Sequence, residues 1–418
     1  MKILHYTLGF PPLRSGGLVA YANDIMQEQI NKGHTVYALY PANQFIFSKR
    51  PFVKLANMES GIQTYHLFNS LPLALFGGIQ NPDDFMYPCH KEDYERFLKE
   101  LQPDIIHIHS LMGLHKEFFQ VAKKLGISLI FTTHDYYGLA PLPSFYYNEH
   151  SFDANNTNLA WNIMSADALS TKKLRLFQSH FYPTIRHLLK LIRRNPKHVE
   201  QRNYLTIEEK IDYSRLKNYY RDIFSLIDKF HFNSSLARTV YERNLGSLPG
   251  QVLSITTKRI KKINLPRVKH NKIHIAYIGP DEFYKGYFEF LSFISNLDTD
   301  KFECYSYGHY PNEMAPEYLH QMGRFKQDEL AKVYQNIDIL IVPSHWKETF
   351  GLVVLEALSY GLTVYASDMV GAKDLLPNTC VFSCLLDLID NLEIQTEGTD
   401  IKNLEQHIKE LDLLYQSI

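Results

Sequence analysis

Short apolar runs alternate with segments whose apolar residues recur every three to four positions through the first 135 residues, and the alternation returns from about residue 273. That rhythm predicts parallel α/β units. Met1 to Thr7 reads as a strand, Leu18 to Lys32 as a helix stopped by Gly33, and "TVYALYP" as the next strand. "PDIIHIHS" (Pro103 to Ser110) and "ISLIFTTHD" (Ile127 to Asp135) are strands bracketing a helix over Lys116 to Leu125. Residues 136 to about 225 interrupt the pattern with an aromatic loop and a longer helical stretch. Order resumes at "IDKFHFNSS", where Ser234 or Ser235 can cap a helix over Leu236 to Leu245. In the second half "IHIAYIG", "KFECYSYG", "DILIVPS" and "LTVYASD" are strands, and Gly351 to Tyr360 reads as a helix.

Length turns this pattern into two domains, because 418 residues exceed what one core usually organises. Between the halves, Thr256 to Lys272 carries seven Lys or Arg, a proline and no acid, which suits a linker. The formal charge of −1 excludes a broadly basic nucleic-acid binder. The four cysteines, with no CxxC pair and no histidines at zinc spacing, fit a reducing compartment without structural metal, so a cytoplasmic setting is expected. No apolar run approaches the roughly 18 residues of a membrane span. Ala168 to Val199 holds eight Lys or Arg and no acid among apolar residues, a composition that suits peripheral contact with an anionic membrane or a solvated face packed on the domain.

Ligands of open α/β sheets bind beyond the carboxyl ends of the strands, which directs the search for chemistry to four places. Glu348 follows "DILIVPS" by a short turn, and the amides of Gly351, Leu352 and Val353 open the next helix, a suitable seat for phosphate. Glu356 lies in that helix's second turn, where a ribose diol would give a covered carboxylate two donors. From spacing alone the two glutamates read equally as a dipole-complementing acid and a solvated helix residue. Lys285, just after "IAYIG", can reach a diphosphate or sit in solvent. Gly16 and Gly17 permit close backbone approach without forming a GxGxxG, or simply make a turn. His134 ends a strand, where it can donate to a sugar hydroxyl or to developing charge with Asp135 orienting it, or serve structurally. His107 and His109 alternate along "DIIHIHS" and are assigned to opposite faces, leaving at most one at a given site. His109, Tyr136 and Tyr137 are candidates for the acceptor side, the aromatic rings as stacking surfaces or as core.

Together these segments resemble family 4 glycosyltransferases, retaining enzymes of the GT-B fold. The resemblance is strongest over "VPSHWKETFGLVVLEALSYGLTVYASD", with weaker support from "PPLRSGG", "PDIIHIHS", "TTHD" and "GPDEFYKG". It implies two doubly wound Rossmann-like domains facing a central cleft. Residues 1–255 would form the acceptor-side domain with its insertion at about 136–225, 256–272 the linker, 273–395 the nucleotide-sugar domain, and 396–418 a helix returning to the N-terminal domain. It implies Gly16 and Gly17 near the donor diphosphate, His134 beside the donor sugar, and Lys285 on the phosphates. Glu348 would hold sugar hydroxyls, the amides of Gly351 to Val353 the phosphate, and Glu356 the ribose. It also implies a nucleotide-diphosphate sugar donor (UDP-sugar first, GDP-sugar second), no essential metal or other cofactor, and a saccharide acceptor, expected to be lipid-linked, as in bacterial capsule or cell-wall polysaccharide synthesis. Pro280 stands where the family commonly has arginine, so half of the usual cationic clamp is missing, and Arg324 or a linker base is the candidate replacement. A non-catalytic partner subunit and a nucleotide-sugar epimerase on the same fold are the alternative readings.

Overall fold

The computed structural model describes residues 1–11, 14, 16–44, 49–75, 77–178, 204–261, 263, 268, 270–395 and 401–418. The chain forms two compact units. Unit 1 comprises Met1–Phe232, Thr239–Leu253 and Ile408–Ile418, and unit 2 comprises Asn233–Arg238 and Ser254–His407.

Unit 1 is built on an eight-stranded sheet ordered β10-β9-β6-β5-β1-β2-β4-β3. In chain order its elements are β1 (Lys2–Tyr6), α1 (Gly17–Asn31), β2 (Thr35–Pro41), β3 (Phe52–Leu55), β4 (Gln63–Phe68), α2 (Lys91–Leu101), β5 (Ile105–Ile108), α3 (Lys116–Lys124) and β6 (Ser128–Thr132). A small hairpin, β7 (Tyr146–Tyr147) with β8 (His150–Ser151), precedes α4 (Asn158–Met164), α5 (Thr171–Phe177) and α6 (Ser214–Phe224). The unit closes with β9 (Lys229–Phe232), the part of α7 (Ser235–Leu245) from Thr239 onward, and β10 (Gly250–Val252). Only the β3 pairing within this sheet is antiparallel. α1 buries Val19, Tyr21, Ala22, Ile25, Met26 and Gln29, the spacing of one helical face. The core gathers Leu4, Ile106, Ile108, Leu129 and Phe131 from the central strands with Phe118, Phe119 and Val121 of α3, each side chain stabilising the fold by about 1.5–3 kcal/mol. Ser234 receives the amide of Ala237 at 3.0 Å and so caps α7. Most of the basic stretch assigned to a membrane surface, residues 179–199, lies outside the described residues; Lys172, Lys173 and Arg175 sit in α5.

Unit 2 holds a six-stranded, all-parallel sheet ordered β13-β12-β11-β14-β15-β16. Its strands are β11 (Ile273–Ile278), β12 (Phe302–Tyr307), β13 (Leu319–Gln321), β14 (Ile339–Val342), β15 (Thr363–Ser367) and β16 (Val381–Phe382), with helices α8 (Tyr287–Ile294), α9 (Leu330–Gln335) and α10 (Leu352–Ser359). The chain lays down β11, β12 and β13 in one direction and then returns past β11 to place β14, β15 and β16 in the other. The order therefore reverses between β11 and β14, the place where doubly wound sheets open a crevice. A last helix, α11 (Leu404–Gln416), contributes its residues from Ile408 onward to unit 1.

Candidate functional site

In unit 2 the loops leaving β11 and β14 bring two charges together at the reversal point. Lys285 ends a 3-10 turn after β11, and Glu348 lies between β14 and α10. Lys285 Nζ donates to Glu348 Oε1 at 2.8 Å. The lysine ammonium also sits 5.2 Å from the ring centre of Trp346 and 5.9 Å from that of Tyr284, a box suited to a cation. Glu348 is 7% exposed, and its backbone is held at both ends: its N–H donates to the Met369 carbonyl and its carbonyl accepts from Gly371 N–H. The carboxylate is thus presented from a fixed main chain.

Gly351 caps α10 with φ at 99°, and no side chain caps the helix, which has no acid in its first turn. The first amides, those of Gly351, Leu352 and Val353, are placed for an anionic acceptor. Glu356 sits one turn further, its Oε2 accepting from the Tyr334 hydroxyl at 3.4 Å. Burial lifts its pKa above the ordinary carboxylate range, with the Tyr334 hydroxyl and the charge of Arg259 pulling it back. At the position where the family commonly has arginine, the Pro280 carbonyl accepts from Tyr277 Oη at 2.6 Å. Arg324, the candidate replacement, stacks over Tyr310 at 4.6 Å and makes no ion pair among the described residues.

Unit 1 contains a different arrangement. His5, His107, Thr132 and His231 lie on one face of four neighbouring strands, with His109 and His134 just past the ends of β5 and β6. His134 Nε2 lies 3.2 Å from His109 Nδ1, and His109 Nε2 lies 3.0 Å from His5 Nδ1. His5 Nε2 reaches Gln29 Oε1 at 2.7 Å, and Gln29 Nε2 donates to Tyr415 Oη at 2.9 Å. Tyr415 Oη is 2.7 Å from His107 Nδ1, and His107 Nε2 is 2.6 Å from Thr132 Oγ1. Thr132 Oγ1 is 2.9 Å from His231 Nδ1, and His231 Nε2 ends the series 2.7 Å from the Leu253 carbonyl. Burial holds His5 down to about 3 and His109 well below its ordinary range, so both are neutral at pH 7.

Three expectations from the sequence change here. His107 and His109 do not face opposite sides: residues two apart project from the same face, and their rings stack with centroids 4.4 Å apart. Asp135 does not orient His134, which instead meets His109; the Asp135 carboxylate accepts from Tyr137 N–H at 2.9 Å. Tyr136, Tyr137 and His109 are 0%, 1% and 0% exposed, so none offers a surface on which an acceptor can stack. The two tyrosines are core because the loop folds inward: Tyr137 Oη bonds Tyr220 Oη at 2.6 Å, and Tyr136 packs on Phe145 and Tyr241. Gly16 has φ of 124° beside open space, and Gly17 opens α1.

Burial raises Asp135 from its ordinary value of 3.8 to about 7, the Tyr137 amide countering in part. Between those values the folded chain keeps a proton that the unfolded chain has lost, so this group makes stability fall as pH rises through the window. Relative to Asp135→Asn, the wild type is expected to lose up to about 1.4 kcal/mol per pH unit from about pH 4 to pH 7. Urea unfolding of both proteins across that range measures it; parallel curves would remove the assignment.

The family described as "Glycosyltransferase Family 4" matches residues 15–254, and "Glycosyl transferases group 1" matches residues 259–379. The chain belongs to glycosyltransferase family 4. A 42.6 kDa protein of the cps region of Klebsiella pneumoniae is 23% identical, over 96% of this chain and 94% of that one. Among solved structures, Alr3699/HepE of Anabaena in complex with UDP superposes with a TM-score of 0.56 at 12% identity, each chain covered completely. The lipopolysaccharide outer core galactosyltransferase WaaB gives 0.54 at 14% identity, covering 100% of this chain and 97% of that one. The fold of this family 4 glycosyltransferase is therefore GT-B. Trp346 and Tyr284, which flank Lys285, escaped the sequence reading, since an aromatic beside a strand end has the same pattern as core.

Proposed function

We propose that the chain transfers a sugar from a nucleotide-diphosphate donor, a UDP-sugar first, with retention of configuration and without a metal ion. The observation that carries this reading is the Lys285–Glu348 pair, set at the strand-order reversal of unit 2 beside the uncapped start of α10. Breaking the glycosyl phosphate bond places negative charge on the leaving diphosphate. Lys285 Nζ and the amides of Gly351, Leu352 and Val353 meet that charge, and fixed donors of this kind usually supply the largest share of the rate enhancement. Glu348 holds sugar hydroxyls, with Lys285 setting the direction of its carboxylate. Glu356 takes the ribose diol, which would give this covered carboxylate the donors it lacks. In unit 1 the same reading assigns His134 to the donor sugar and Gly16 and Gly17 to the diphosphate, as the family resemblance implies. A leaving phosphate oxygen then deprotonates the acceptor hydroxyl on the face it vacates, giving retention without a protein nucleophile.

UDP is favoured as the carrier because HepE of this fold holds UDP and UDP-glucose. A saccharide acceptor on a lipid carrier in surface polysaccharide synthesis accords with the similarity to a cps-region protein. No helix of the described residues is long and apolar enough to cross a membrane. The test is a thermal-shift screen with nucleoside diphosphates and their sugars, in EDTA, followed by analysis of the product's anomeric configuration. A ligand at a hundred times its Kd adds about 2.7 kcal/mol to the stability of the folded form. No shift with any nucleotide, an inverted product, or activity only with added metal would each overturn the corresponding part.

A further inference from the structure

Lys285 and Trp346 come from different loops of unit 2, and those loops are fastened to each other and to the sheet. After β14 the Ser344 carbonyl accepts from Ser367 Oγ of β15 at 2.6 Å. The His345 N–H donates to the Tyr284 carbonyl at 3.0 Å, and the His345 ring Nε2 lies 2.8 Å from Glu289 Oε2 on α8. The Ser344 hydroxyl lies 3.4 Å from the Tyr284 carbonyl and 3.5 Å from that of Trp346. The main chains that carry Lys285 and Trp346 are therefore fixed relative to one another.

The face of the Trp346 ring lies 5.2 Å from the Lys285 ammonium, and the ring meets that of Tyr284 edge to face with centroids 6.4 Å apart. Its Nε1–H is buried and has no acceptor among the described residues, so no hydrogen bond of the indole sets its orientation. Phenylalanine would fill much of the same space without an unsatisfied donor. What tryptophan adds is its face, which attracts a cation more strongly than the other aromatic rings do. Glu348 Oε1 gives the ammonium one partner, and a charge on four flexible carbons can turn about a single hydrogen bond. The two aromatic rings narrow that freedom. With Pro280 in place of the arginine, the clamp is one cation short, and the aim of Lys285 matters more.

We infer that Trp346 is a positioning residue for sugar transfer: its ring face holds the Lys285 ammonium beside Glu348, and it acts on the diphosphate only through that lysine. The contact stands on the geometry alone; its consequence for transfer rests on the function proposed above.

The experiment has a ligand-free part and a kinetic part. The chain has two tryptophans, Trp161 in unit 1 and Trp346, so fluorine-labelled tryptophan gives one resonance for each, assigned with Trp346→Phe. Lys285→Met keeps an unbranched side chain and removes the charge; it should move the Trp346 resonance and leave that of Trp161 in place. A Trp346 resonance indifferent to this change would overturn the contact. In the kinetic part Trp346→Leu should lower kcat/KM for the donor about tenfold, the size of a partly desolvated contact between a cation and a ring. Trp346→Phe keeps a ring and should lose no more than about threefold. In a Lys285→Ala background the leucine substitution should cost less than about twofold, since the ring then has nothing to position. Trp346→Met gives a second break if the leucine variant fails to fold. Equal losses with and without the lysine, or no recovery with phenylalanine, would overturn the positioning role and leave Trp346 a packing residue. Because the fluorine spectra need no donor, they stand or fall separately from the nucleotide screen.

Discussion

Lys285→Ala should lower kcat by about 10²–10³-fold, the loss typical when one fixed donor to developing charge is removed. The lysine side chain is 26% exposed and that of Glu348 only 10%, so the two partners are not equivalent. Removing the lysine leaves a nearly buried carboxylate without its cation, and a stability loss of roughly 1–3 kcal/mol should accompany the lost activity. Glu348→Gln keeps the shape and a hydrogen-bond acceptor, so it should be as inactive but more stable. The two variants separate the assigned roles. A nucleoside diphosphate should still raise the melting temperature of Glu348→Gln, whose change affects the sugar, and should fail to do so for Lys285→Ala, whose change affects the phosphates. Because the two side chains touch, their effects in the double variant should not simply add. Near-normal turnover in either single variant would exclude the proposed site.

Gly286→Ala should unfold unit 2 more readily than any other single alanine at the site. The residue has φ of 75°, and a Cβ built on it would come within 1.7 Å of the Pro343 carbonyl oxygen. That oxygen belongs to the backbone leaving β14, so it cannot swing aside as a side chain would. Left-handed backbone costs alanine about 1–2 kcal/mol, and forcing β14 and the turn after β11 apart adds about 1–3 kcal/mol. For a unit of this size the sum corresponds to a fall in Tm of roughly 5–20 °C, measurable by calorimetry, together with loss of the Lys285 contact that the glycine allows. Two other glycines grade the argument. Gly351→Ala meets side chains alone, a Val370 methyl at 2.7 Å and Glu348 Oε2 at 3.6 Å, with φ of 99°, and Gly16→Ala has φ of 124° but nothing within 4 Å. The expected order of destabilisation is therefore Gly286, then Gly351, then Gly16, and a different order would show that contact with Pro343 does not control this turn.

The sequence made the unit 2 site readable because its parts are close in the chain and each follows an apolar strand. Glu348, Gly351 and Glu356 belong to one strand–turn–helix passage, and Lys285 to a second passage of the same kind. Strand and helix positions followed for the same reason: "TVYALYP" is β2 itself, and the helix expected over Lys116 to Leu125 is α3 with one residue more. What local pattern could not give is partnership over distance. Gln29 is 24 positions from His5 and 386 from Tyr415, and nothing in either neighbourhood marks them as partners. Tyr136 and Tyr137 failed in the opposite way. An aromatic cluster in a loop satisfies the composition of a sugar platform, yet its hydroxyl partner Tyr220 and its packing partner Tyr241 come from later helices that draw the loop into the core.

Tyr415 also imposes an order on biosynthesis. The strands of unit 1 are complete once residue 253 has been made, but Ile408–Ile418 follow only after all of 254–407. At ~5–20 residues per second, a ribosome takes roughly ten to thirty seconds over that interval. During it His107 and Gln29 lack the hydroxyl that joins them. The sheet of unit 1 is therefore laid down well before the helix that completes its polar row.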